Sequence, residues 1–237
     1  MSRARIQLVP AWILKTTPYR DSSLLVEALT RDHGRVGLVA RGARSGKSKL
    51  RERLQCFRPL LMSWVEAGDL GTLTHAEPDG VAVNLVGERI FSGWYLNELL
   101  LRLLQRHDRH EAVFEHYAQT LPALLHQGEA ALRYFELTLL AETGFGLDLP
   151  EDLEPERWYH YLPSGVPEPL RQEEAGAYPG RCLIGLRDRM LQGDADLRFA
   201  RNLLRSALAV QLGDKALASA SVLRSLRLQA RRKPGQD

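Results

Sequence analysis

Arg35-Val36-Gly37-Leu38-Val39-Ala40-Arg41-Gly42-Ala43-Arg44-Ser45-Gly46-Lys47-Ser48-Lys49-Leu50-Arg51-Glu52-Arg53 is the stretch on which the fold turns. Its first half alternates: Val36, Leu38 and Ala40 on one face, Gly37, Val39 and Arg41 on the other, which is the period of a strand. After Arg41 the pattern breaks into a Gly- and Ser-rich turn with five basic residues between Arg44 and Arg53. Seven cations stand against one acid, Glu52. A cationic, adaptable loop beside a cationic strand face suits a phosphate backbone, which rewards charge and tolerates varied geometry. A merely solvated loop is the plainer alternative.

The charge distribution along the 237 residues favours the first reading. The net charge is only +3, yet residues 1–53 hold 12 Lys/Arg and 4 Asp/Glu, and residues 224–237 hold 5 and 1. The body between them carries a surplus of nine acids. Basic ends on an acidic body point to a polyanionic ligand for the ends. Cys56 and Cys182 are too few for a disulfide scaffold and lack zinc-ligand spacing, so two reduced thiols in a cytoplasmic protein are expected. Gln7 and Pro10 interrupt the early apolar run, which argues against a signal peptide, and Asn97, Glu98 and Arg102 interrupt the longest apolar helix, which argues against a membrane span.

Outward from the opening stretch, residues 1–78 read as strands. These are Ile6–Leu14, Ser22–Thr30, Arg35–Arg41, Leu60–Glu66 and Gly71–Ala76, with turns at Thr17–Asp21, Asp32–Gly34 and Ala67–Asp69. Five short strands at this spacing predict a small barrel, and an OB-fold places the basic segment in a long inter-strand loop; an SH3-like barrel gives a similar pattern. Pro78-Asp79-Gly80 then punctuates the chain, and the period becomes helical over Glu88–Arg106, Glu111–Leu125 and Glu129–Thr143, with Gly144 as a C-cap. An irregular segment, 145–180, includes a short hairpin near Trp158–Leu162, and two helices, Asp196–Leu212 and about Leu217–Arg231, finish the chain. The predicted architecture is α+β and multidomain: an N-terminal OB-fold β-barrel over 1–79, then a mainly α-helical C-terminal domain over 80–237.

Catalytic chemistry finds little purchase. Gly42–Ser48 resembles a P-loop, but only three residues separate its glycines, and the strands before it form an antiparallel pattern. A nucleotide-dependent enzyme and an RNA-binding OB adaptor are the rival readings. His107, His110 and His116, with Asp108 and Glu111, sit at a polar helix junction without a convincing third ligand, so no metal and no cofactor is expected. Arg133 and Leu137 lie one helical turn apart beside Leu140. They read either as a core margin with solvated arginines or as an apolar pocket rimmed by cations for an acidic peptide with a free carboxylate.

Particular segments carry a family resemblance. They include Ala11-Trp12-Ile13-Leu14, Ser23-Leu24-Leu25, Gly34-Arg35-Val36 with Leu38-Val39-Ala40-Arg41-Gly42-Ala43-Arg44, and Leu54-Gln55-Cys56-Phe57. Further on stand Tyr95-Leu96-Asn97-Glu98-Leu99-Leu100 and Leu132-Arg133-Tyr134-Phe135-Glu136-Leu137. Across nearly its whole length the chain resembles the RecO family of bacterial recombination mediators. The resemblance implies an OB-fold followed by a helical domain, and a non-enzyme that binds single- and double-stranded DNA and anneals complementary strands. With RecR, such proteins help load RecA onto DNA coated by single-strand binding protein, in the cytoplasm at the nucleoid. Relatives with a four-cysteine zinc site differ here, since Gly146–Leu162 has no cysteine and fits the zinc-free branch. Near the end, the Lys-Ser-Arg of relatives appears as Ala218-Ser219-Ala220.

On this reading Arg35, Arg41, Arg44, Lys47, Lys49 and Arg51 are the expected phosphate contacts, with Lys15 and Arg20 further out. Trp12, Tyr19 and Phe57 are the aromatic side chains available for stacking. Arg133, Leu137 and Leu140 are expected to receive the acidic tail of single-strand binding protein.

Overall fold

The computed structural model describes residues 4–46, 48–213 and 217–219. Five strands close a barrel: β1 (Arg5–Tyr19), β2 (Ser23–Thr30), β3 (Gly34–Ala40), β4 (Pro59–Val65) and β5 (Gly71–Pro78), in the order β1-β2-β3-β5-β4. This is the OB-fold arrangement. The length of β1 makes closure possible. Its first half pairs with β4, from Arg5 opposite Val65 to Trp12 opposite Pro59, and its second half pairs with β2, from Ala11 opposite Thr30 to Tyr19 opposite Ser23. Irregularities between Ile6 and Val9 and between Ile13 and Lys15 bend the strand from one sheet direction into the other. A short parallel contact, Leu38 with Gly71 and Val39 with Thr72, joins β3 to β5.

The alternation read in the opening stretch holds in space. Val36, Leu38 and Ala40 are buried with Val26, Ala28, Leu60, Met62 and Trp64 inside the barrel, while Arg41 is exposed on the other side. The basic loop carries a four-residue helix, α1 (Leu50–Arg53), not anticipated from the sequence; Leu54 beyond it enters the core. Gly34 turns the chain into β3 at φ +62°, and a Cβ there would overlap the Asp108 carbonyl. Only glycine fits that approach.

Two helices, α2 (Glu88–Leu103) and α3 (Glu111–Ala123), belong to the same compact unit as the barrel, which runs to Pro122 and takes in residues 217–219. The strand-to-helix change at Pro78–Gly80 is therefore not a break in packing. Trp12 turns outward from the barrel to meet Tyr117 edge to face, with ring centroids 5.6 Å apart. Asn97 Nδ2 donates to the Leu14 carbonyl at 2.9 Å and Asn97 Oδ1 accepts from the Tyr117 hydroxyl at 2.6 Å, all of it buried. Trp94 on α2 is 44% exposed and meets the Phe91 ring edge to face.

The second unit begins at Ala123. Its helices are α4 (Glu129–Glu142), α5 (Gly180–Arg187) and α6 (Gly193–Leu212). Gly144, at φ +84°, follows the end of α4 as expected. The segment 145–180, expected to be irregular apart from a short hairpin near Trp158–Leu162, holds a three-stranded sheet, β7 (Glu168–Leu170), β6 (Trp158–His160) and β8 (Tyr178–Pro179). In it β6 and β7 form an antiparallel hairpin, and β8 adds on the other side of β6. Aromatic side chains and carbonyls secure it: Trp158 and Tyr178 both meet Phe199, and the Tyr161 hydroxyl donates to the Asp148 carbonyl. The expected final helix beyond residue 219, and the basic tail after it, lie outside the described residues.

Candidate nucleic-acid interface

Cross-strand register settles which side chains share the barrel's outer face. Val26 and Ala28 point into the core, so Leu25 and Glu27 point out. Leu25 is level with Thr17 on β1 and Val39 on β3, which in turn pairs with Thr72 on β5. At the end of this row the β1–β2 turn, the end of β3 and the β4–β5 turn enclose an open cleft of about 560 Å³. Tyr19, Arg20, Ser23, Val39, Arg41 and Thr72 are among its lining residues. In an OB-fold this is the face where oligonucleotides lie, between the first and fourth loops.

The basic loop is fastened to this cleft. Arg44 donates its backbone N–H to the Ser22 carbonyl at 2.8 Å and a guanidinium N–H to the Arg20 carbonyl at 3.1 Å. Arg20 itself, at φ +51°, carries its guanidinium 5.2 Å from the centre of the Tyr19 ring. So Arg20 and Arg41 line the cleft, Arg44 is held beside it through the Arg20 carbonyl, and all three are exposed. Lys15 is exposed further down β1, and Lys49 and Arg51 are exposed at α1 without lining the cleft. Lys47 lies outside the described residues. Of the stacking candidates only Tyr19 lines the cleft; Trp12 is buried on Tyr117, and Phe57 is buried against Gly93.

Arg35 is a correction. Its side chain is only 16% exposed, bonded to Glu27 at 2.7 Å and to the Leu104 carbonyl at 3.0 Å, so it fastens the segment after α2 to β3. Arg133 and Leu140 are corrected too. Arg133 is 5% exposed and its guanidinium is taken up by Glu136 at 2.5 Å and Glu129 at 3.6 Å, while Leu140 is fully buried. The two acids stand at helical spacing from Arg133 and offset part of the cost of burying its charge. Leu137 alone of the three reaches the surface. The exposed Arg189 bonds the hydroxyl of Thr138, the next residue along α4, at 2.7 Å.

Comparison with known proteins accords with this geometry. Family models described as "Recombination protein O N terminal" and "Recombination protein O C terminal" match residues 5–80 and 86–157. The DNA repair protein RecO of Nitrosococcus oceani is 44% identical over 233 residues, covering 94% of this chain and 95% of that protein. The chain belongs to the RecO family. The RecO proteins of Alkalilimnicola ehrlichii and Coxiella burnetii are 44% and 40% identical, covering 95% and 92% of this chain and 94% and 98% of their own.

Among the described residues of this RecO-family chain, no three His, Cys, Asp or Glu side chains converge as metal ligands. His110 pairs with Asp108 at 3.2 Å, and the His107 N–H donates to the Arg35 carbonyl. Burial pushes the Cys56 thiol up to about 11 and Cys182 to about 12, which keeps both protonated and weakly nucleophilic at neutral pH. The P-loop-like run is followed only by the four residues of α1 and sits after a strand antiparallel to its neighbour β2. No helix among the described residues is long and apolar enough to cross a membrane.

Sequence reading missed the contribution of the β4–β5 turn, where Ala67, Leu70 and Thr72 line the cleft, and it missed Arg106. Alternation in β5 carried a signal for Thr72; Arg106 is positioned by a contact 71 residues away in sequence and had none.

Proposed function

We propose that this protein is a DNA repair and recombination mediator that binds single- and double-stranded DNA along the barrel face and anneals complementary strands. The observation that carries the reading is the cleft lined by Tyr19, Arg20 and Arg41, with Arg44 bonded to the Arg20 carbonyl. Lys15, Lys49, Arg51 and Lys47 extend the contact to neighbouring phosphates. Phosphate contacts carry no base information, so binding is expected to be indifferent to sequence. Annealing needs no acid–base group: cations screen two strands from each other while mobile contacts let bases find register. The protein acts in the cytoplasm at the nucleoid, without a cofactor and not as an enzyme. With RecR it promotes RecA loading on DNA coated by single-strand binding protein.

If about six phosphates are engaged, log K for a single-stranded oligonucleotide falls against log salt with a slope of about −4, and for duplex about −5. Fluorescence anisotropy at several salt concentrations measures this, and a flat response would rule out a groove built on charge.

The acidic tail of single-strand binding protein docks, on this reading, at Leu137 with Arg189 as the nearby cation. Leu137→Asp is expected to weaken a tail peptide about tenfold, since a lost apolar anchor and a like charge both count against it, and to leave naked-DNA binding alone. Equal loss of both would refute that division. Strand annealing on DNA precoated with single-strand binding protein, with its tail intact or removed, tests the whole reading.

A further inference from the structure

On the outer face of β2 and β3, next to the cleft, one carboxylate holds two guanidinium groups. Glu27, 13% exposed, meets Arg35 at 2.7 Å and also pairs with Arg106, with Lys15 as its cross-strand neighbour on β1. Arg106 arrives from the segment after α2, which runs beside β3 as an isolated bridge to Arg35, fixed by the His107 N–H on the Arg35 carbonyl at 2.9 Å. The Arg106 guanidinium also reaches the Asp69 carbonyl in the β4–β5 turn at 3.4 Å. Gly37, the cross-strand partner of Glu27, makes room for it: a Cβ at that position would stand 2.7 Å from the guanidinium carbon. Val39, two residues along on the same face, lines the cleft, as does Leu70, so this cluster adjoins the proposed path of the strand.

We propose that Glu27 is a built-in substitute for a backbone phosphate, and that bound DNA displaces it from Arg106. The proposal rests on the reading that this face binds DNA. A carboxylate and the two non-bridging oxygens of a phosphodiester each offer a guanidinium fork a pair of anionic acceptors, so one can replace the other on the same arginine. Arg35 is fixed by two partners and largely covered; Arg106, with 30% of its side chain exposed, is the one that turns outward. Glu27 retains Arg35 when Arg106 leaves, so its charge keeps a partner. Each phosphate captured by Arg106 thus costs one internal ion pair, which lowers affinity and shortens residence. A protein that must align two strands and then release them gains from such exchange.

The test is Glu27→Gln in the full chain, with anisotropy of a labelled thymidine oligonucleotide at several salt concentrations. Removing the internal anion is expected to tighten binding about three- to tenfold near 0.1 M salt and to steepen the salt slope by about one. Adding Arg106→Ala to the same chain abolishes that gain. Gly37→Ala, which pushes Arg106 off the carboxylate with Glu27 intact, is expected to shift affinity in the same direction and decides the matter if Glu27→Gln does not fold. Wild type that binds DNA while neither variant binds more tightly overturns the inference and leaves the DNA-binding reading standing. Failure of the wild type to bind overturns the reading, and the inference with it.

Discussion

Replacing Arg20, Arg41 and Arg44 together by glutamate is expected to weaken binding of a single-stranded oligonucleotide about a hundredfold near 0.1 M salt and to flatten the salt slope by about two. The three side chains are exposed and lie about the mouth of one cleft, so reversing them places three anions where the strand must pass. Little folding stability is at stake, because exposed charges far from a buried partner contribute within about 0.5 kcal/mol. Arg44 is the partial exception, since its guanidinium steadies the Arg20 carbonyl. The melting curve therefore serves as a control: unchanged melting with unchanged affinity would remove this cleft from the DNA path. Lys49→Glu with Arg51→Glu makes the comparison on cations outside the cleft and is expected to cost less.

The second large effect concerns stability. Asn97→Ala removes the hydrogen bond to the Leu14 carbonyl and the one from the Tyr117 hydroxyl, at a buried point where barrel and helices meet. The cost is expected to be about 2–4 kcal/mol. The Cys56 thiol, 3.5 Å from the same Leu14 carbonyl, offsets only a little of it. Denaturant unfolding followed by tryptophan fluorescence reads this directly, because Trp12 packs on Tyr117. Tyr117→Phe should cost less, removing one of the two bonds while keeping the ring. A loss under 1 kcal/mol for Asn97→Ala would mean that the polar contact does not join these elements.

How far the sequence could carry these conclusions depends on where each residue's partner lies. The β3 alternation was readable because burial follows local period, and Val36, Leu38 and Ala40 needed no distant information. The end of β1 was misplaced at Leu14 because Pro18 signals a turn; the strand in fact runs to Tyr19. Beyond Trp12 it has a neighbour strand on one side only, where a residue without an N–H is tolerated. Exposure of Arg20, Arg41 and Arg44 followed from local composition, whereas the fate of Arg35 depended on Glu27 and on Leu104, 69 residues away. Arg133 is a different kind of miss. Its acids stand at Glu129 and Glu136, helical spacings visible in the chain, so the pairing is open to reading, while the burial of the pair depends on packing that the spacing does not show. Helix α5 is not legible in the sequence, because eight residues with two glycines give little periodic signal.

The contact between α2 and residues 218–219 bears on how the chain is threaded. Burial works against ionisation of Glu98, but the backbone N–H and hydroxyl of Ser219, the N–H of Ala218 and the Arg102 guanidinium outweigh it and hold the carboxyl below its usual range. The polypeptide thus departs from the barrel-bearing unit at Pro122 and is moored to it again by Glu98. The second unit is therefore an insertion in sequence: the polypeptide leaves the first unit once and returns to it once, and the hydrogen bonds of Ala218 and Ser219 to Glu98 mark the return.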